Sequence, residues 1–144
     1  KFGKLSADAI EKLTKEFKGI KKDMQSYFDV IATCPIASLV KLADRMNNIS
    51  TMVGVFTIPK QEEYVKEIKD YFIPLLKEAR GNFPEQSMSY HNMSLFLKQM
   101  CKTIEAVLVA EKINIQIKDV LEVLEQIENN QLQIKPKSKK MKLG

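Results

Sequence analysis

The chain is 144 residues long and carries 23 Lys and Arg against 18 Asp and Glu, a net charge of +5. That length suits a single hydrophobic core, and with only five Gly and five Pro, long segments can hold helical periodicity. No run of about 18 apolar residues occurs, so no transmembrane helix is expected.

The charge is placed unevenly. Lys135, Lys137, Lys139, Lys140 and Lys142 lie in the last ten residues with no acidic neighbour and equal the whole net charge, so residues 1–134 are neutral overall. A short Lys cluster with Pro136 and Ser138 reads as a basic disordered tail over 135–144. It lacks interleaved aromatics, so nucleic acid and anionic membranes are not the expected partners. The opening Lys1-Phe2-Gly3-Lys4 has no apolar h-region and no initiator Met, so it does not read as an intact signal peptide. Cys34 and Cys101 fit neither a CxxC nor a zinc-ligand spacing and read as reduced thiols of a cytoplasmic protein.

Taken in order, the pattern predicts an all-α fold of about five or six helices. Ser6 is the expected N-cap of the first, with Ala9, Ile10, Leu13 and Phe17 on its apolar stripe and Gly19 at its end. A second helix is expected from about 22 to 33, built on Met24, Tyr27, Phe28 and Ile31. Pro35 closes it and pre-sets a third helix whose buried stripe would be Ile36, Leu39, Val40, Ala43 and Met46. A connection containing Gly54 follows, then a helix from about 60 to 80 burying Tyr64, Ile68, Tyr71, Phe72, Leu75 and Leu76, with a kink expected at Pro74.

Gly81-Asn82-Phe83-Pro84 breaks the chain before a helix from about 86 to 110, with Leu95, Met100, Ile104, Val107 and Leu108 facing inward. The last helix, near 115–129, spaces Ile117, Val120, Leu121, Leu124 and Ile127 at helical intervals. The short alternation from Ile113 to Ile117 reads as its entry. No heptad is sustained enough to predict an extended coiled coil.

The third helix carries the chemistry. Asp44 and Asn48 stand one turn apart, so a carboxylate and a carboxamide project from the same side. That geometry suits a metal ion beside a polar ligand; equally, Asp44 could pair with Lys41 or Arg45, and Asn48 could help stop the helix. His91 has no second His or Cys nearby and reads as a surface or capping residue, because metal sites need several convergent ligands. No Gly-rich phosphate loop, GxSxG elbow or HExxH pattern is present, which argues against nucleotide kinases, serine hydrolases and zinc proteases.

The run Lys41-Leu42-Ala43-Asp44-Arg45-Met46-Asn47-Asn48-Ile49-Ser50-Thr51 resembles the last conserved motif of the HD-superfamily phosphohydrolases, most closely the RelA/SpoT-type guanosine tetraphosphate hydrolases. Leu13-Thr14-Lys15 resembles the threonine-lysine turn that precedes the motif, and Glu67-Ile68-Lys69-Asp70-Tyr71-Phe72-Ile73-Pro74-Leu75-Leu76 resembles the helix that follows it. The resemblance covers roughly residues 7–80.

It implies that residues 1–134 are a partial HD-type helical bundle from a cytoplasmic enzyme of the stringent response that removes the 3′-diphosphate of guanosine polyphosphate or a related nucleotide. By the same resemblance, Asp44 is one ligand of a Mn²⁺ or Mg²⁺ ion, and Asn48, Lys15 and Arg45 contact the nucleotide. The family's early His and His-Asp pair have no match, nor does the acidic pair that activates water, so no catalytic residue is assigned. A second chain or an N-terminal segment would have to complete the site. Asn47, Ser50 and Phe72 depart from the family's usual His, Arg and Tyr. The alternative is a catalytically degenerate helical module for nucleotide or protein binding.

Overall fold

The computed structural model describes residues 3–17 and 19–134; the basic tail assigned to 135–144 lies outside them. The chain divides into two units, Lys1–Leu108 and Val109–Gly144. The fold is all-α. Its elements are α1 (Lys4–Leu13), a short hairpin of β1 (Glu16–Phe17) and β2 (Ile20–Lys21), α2 (Met24–Ala32), α3 (Pro35–Thr51), α4 (Ile58–Glu67), a π-helical turn (Ile68–Phe72), α5 (Ile73–Asn82), a 3₁₀ turn (Pro84–Gln86) and α6 (Ser87–Ile134). The π turn joins α4 and α5 into one continuous helical stretch, which leaves five long helical segments among the described residues.

Several elements begin or end differently from the sequence expectation. Gly3, not Ser6, caps α1, and its carbonyl accepts from the amides of Ser6 and Ala7. Gly19 does not end that helix; at φ +79° it closes the hairpin in a conformation glycine adopts without a Cβ clash, which moves Phe17 onto a strand. The carboxylate of Asp23 accepts from the Ser26 amide at 3.1 Å and starts α2. Pro74 sits at the start of α5, directly after a π turn. The π turn before it carries an Ile73 N–H to Ile68 C=O bond, one residue longer than the α-helical spacing, so the missing Pro74 donor falls where the ladder is already rearranged.

In the first unit, α2 packs against α1, α3 and α5, and α3 also contacts α1 and α5. The core is built on Phe28, Ile31, Leu42, Ile49, Ile68, Phe72, Leu76, Tyr90, Leu97 and Ile104, with Phe28 edge-on to Phe72 and stacked on Tyr71. Burying one such aliphatic or aromatic side chain contributes about 1.5–3 kcal/mol.

The buried face of α3 is rotated from the expected one. Ala37, Ser38, Leu42, Arg45 and Ile49 are buried, while Ile36, Val40 and Ala43 are exposed and Leu39 and Met46 half-buried. Two polar residues take inward positions because each has a partner: the Ser38 hydroxyl lies 2.7 Å from the Tyr90 hydroxyl, and Arg45 is ion-paired. The buried residues of α6 within this unit are Tyr90, Leu97, Cys101, Ile104 and Leu108; Leu95, expected inside, is exposed.

Residues 109–134 are the distal part of α6. The two helices expected at 86–110 and 115–129 are therefore one, and the alternation at 113–117 lies in its middle. No helix among the described residues is long and apolar enough to cross a membrane.

Candidate functional site

Pro35 at the first position of α3 fixes φ for helix entry and gives up no hydrogen bond there. From that start the helix runs far enough to carry Lys41, Asp44, Arg45 and Asn48 on successive turns. Asp44 is exposed and Asn48 half-exposed, and among the described residues neither side chain has a hydrogen-bond or ion-pair partner. The alternative in which Asp44 pairs with Arg45 is not realised, because Arg45 points the other way.

The Arg45 side chain is 7% exposed, and its Nη2 donates to Glu67 Oε2 at 2.7 Å. Its guanidinium lies 4.2 Å from the ring centre of Tyr64 and 4.3 Å from that of Phe72, a desolvated cation–π sandwich. Nε and Nη1 have no partner among the described residues. The residue expected to contact substrate is thus held inside the core, and Phe72 forms one wall of its cage.

Glu67, a quarter exposed, reaches from that cage into a cleft of 460 Å³. The cleft is lined by Lys15 beside the hairpin and by Lys60, Tyr64, Lys66, Asp70 and Tyr71 of α4 and the π turn. Lys60 is paired with Glu63 and Lys66 with Asp70, whereas Lys15 has no ion-pair partner among the described residues. The hairpin positions Lys15: its carbonyl accepts from the Lys22 amide at 2.9 Å.

Lys41 is half-buried, with Nζ 5.6 Å from the Tyr27 ring centre. Burial, and then the Arg45 guanidinium, lower its pKa below the ordinary lysine value, while Asp44 and Glu67 oppose that shift. Burial raises the Tyr27 pKa, and the negative charges of Asp44 and Glu67 add to it. The Tyr27 hydroxyl donates to the Leu13 carbonyl at 3.0 Å, tying the threonine-lysine turn to α2.

The structure therefore places Lys15 in the cleft, connects Arg45 to that cleft through Glu67, and sets Asp44 close enough to Lys41 and Tyr27 to influence both. Lys41, Tyr64, Glu67 and Tyr71 were not singled out as site residues. The signal for Glu67 was present, since it opens the run that resembles the helix after the motif.

Mn²⁺ and Mg²⁺ take about six ligands, and Asp44 with the Asn48 amide oxygen falls well short. Among the described residues no three His, Cys, Asp or Glu side chains converge on one point. Cys34 and Cys101 are separate buried thiols. His91 lies beside Arg80, Nδ1 to Nη1 3.3 Å.

The cleft offers two tyrosine ring faces, a lysine without an ion-pair partner among the described residues, and a carboxylate acceptor held by a buried arginine. No protein-family model, curated protein or solved structure matches the chain.

Proposed function

We propose that this chain forms the nucleotide-holding part of an HD-type phosphohydrolase, working in the cytoplasm on a guanosine polyphosphate or related nucleotide with loss of the 3′-diphosphate. The observation that carries the reading is the division of labour along the motif run from Lys41 to Thr51. Arg45 is locked inward on Glu67 beside the Lys15 cleft, while Asp44 and Asn48 of the same helix stay accessible and unpartnered.

In this account Lys15 meets a phosphate, Tyr64 or Tyr71 stacks on the base, and Glu67 accepts from the base or ribose. Arg45 is a positioning residue that fixes Glu67. Asp44 supplies a single carboxylate. A divalent ion carried by the polyphosphate itself needs only one or two protein carboxylates, because the phosphate oxygens and water fill the remaining positions. The other groups required for hydrolysis would come from a second chain or a further segment.

The shortage of ligands also favours a second reading, a catalytically degenerate module that binds the nucleotide without turning it over. Both readings require binding. Titration calorimetry with guanosine tetraphosphate should give a saturable isotherm that weakens about tenfold in Lys15→Ala, the loss of one charge-assisted contact of roughly 1.5 kcal/mol. A flat isotherm for the unmodified chain would remove both.

A further inference from the structure

Residues 109–134 of α6 are exposed throughout, apart from the half-buried Glu111. A helix in water draws most of its stability from packing an apolar face and little from intrinsic propensity. Most of the apolar residues here fall in order: Ile113, Ile117, Val120, Leu124, Ile127 and Ile134 recur at steps of four and three, with Gln131 filling the one polar step, while Ile115 and Leu132 lie off this line. That alternation is a heptad seam with Ile113, Val120, Ile127 and Ile134 at d and Ile117, Leu124 and Gln131 at a. The seam begins at Ile113, inside the alternation that reads from the sequence as a helix entry, and runs to Ile134.

Flanking positions widen the face. Leu121 and Val123 sit at e and g, the other e and g residues are Asn114, Gln116 and Asn130, and only Glu128 is charged. The remaining charges of the segment stand at b, c and f, on the opposite side.

We propose that this face assembles with other copies of the same chain into a parallel bundle of three or four helices. Three observations select that occupant. β-Branched residues at every d position, with Ile117 and Leu124 at two of the three a positions, favour trimers and tetramers over dimers. The apolar e and g side chains leave a face broader than a two-stranded seam covers. The segment also carries five acidic residues against two lysines, net −3, whereas helices that lie on anionic lipid carry Lys and Arg on their polar face.

The area is sufficient. Val109, Ile113, Ile117, Val120, Leu121, Val123, Leu124, Ile127 and Ile134 are each 47–77% exposed. Covering them removes on the order of 600–800 Å² per chain, close to the roughly 800 Å² per partner of stable specific interfaces.

Sedimentation equilibrium of the full chain at about 50 μM tests this, with Ile117→Lys and Val120→Lys as seam variants and Ile115→Lys as the control at an f position. The expected mass is three or four times the 16.5 kDa of one chain, falling to a single chain in both seam variants and unchanged in the control. Circular dichroism melts of the variants should retain the transition of the first unit, showing that the change is in assembly. A mass of one or two chains would overturn the proposal. So would assembly that survives both seam substitutions, or assembly lost equally in Ile115→Lys. Flotation of the unmodified chain with phosphatidylserine vesicles at monomer mass would assign the face to lipid instead.

Discussion

Arg45→Ala should strongly destabilise the first unit. The substitution removes a guanidinium whose side chain is 7% exposed and leaves Glu67, three-quarters buried, without its partner 2.7 Å away. Breaking a buried pair from one side costs about 3–5 kcal/mol, and the partial exposure of Glu67 places this case near 3. Loss of contact with the Tyr64 and Phe72 rings acts in the same direction without adding in full, since both effects belong to one cluster. At roughly 4 °C or more per kcal/mol for a unit of this size, the thermal midpoint should fall by about 12 °C or more.

Arg45→Met with Glu67→Gln keeps the volume and removes both charges, and should recover all but about 1 kcal/mol. Thermal and urea denaturation of the two singles and the double variant complete the cycle. A loss below about 1 kcal/mol in Arg45→Ala would refute the reasoning, because the cation would then contribute no more than an exposed ion pair does.

Leu42→Asp should unfold the first unit, since Leu42 is fully buried and an unpaired carboxylate would enter the core, whereas Ala43→Asp should leave the midpoint within about 2 °C because Ala43 is exposed; circular dichroism melts separate the two. Gly54→Ala should cost about 1 kcal/mol, as Gly54 holds φ +77° between α3 and α4 and a Cβ there is strained, which shows as a lower urea midpoint at unchanged m-value.

Stability should also decline on the alkaline side. Burial raises the pKa of Cys101, Tyr90 and Tyr27 above their ordinary values near 9 and 10, so the folded state holds these protons more tightly than the unfolded chain. Their contribution is complete below about pH 9 and is lost as pH rises through the folded values. Lys41, with its pKa lowered, works in the opposite sense within part of the same window, as pH rises towards its ordinary value of 10.5. Urea midpoints between pH 8 and 11 should fall, and Cys101→Ala should flatten the first part of that fall.

Much of the fold was legible because hydrophobic periodicity, Pro35 and the 81–84 break are strong local signals. Tyr27, Phe28 and Ile31 on α2, and Ile68, Phe72, Leu75 and Leu76 around the π turn, are buried as their spacing requires. The rotation of α3 was not legible. Ile36, Val40 and Ala43 are apolar and still face outward, while Ser38 and Arg45 turn inward on Tyr90 and Glu67, partners 52 and 22 residues away in sequence. Periodicity sees polarity and cannot see such satisfaction at a distance. The length of α6 was hidden for a related reason: the five alternating residues at 113–117 read locally as a helix entry, whereas they lie inside one continuous helix.

At the candidate site, the motif run and Lys15 could be read from the sequence. That Arg45 serves the cleft through Glu67 depends on tertiary geometry and could not.

The most direct test of the proposed function is the affinity of guanosine tetraphosphate for the chain with and without Mn²⁺, compared with Asp44→Ala. Mn²⁺ should tighten binding severalfold in the unmodified chain and do nothing in Asp44→Ala, with both proteins equally folded. An equal response to Mn²⁺ in the two, or no binding by either, would contradict the role of Asp44 and the nucleotide-holding function with it.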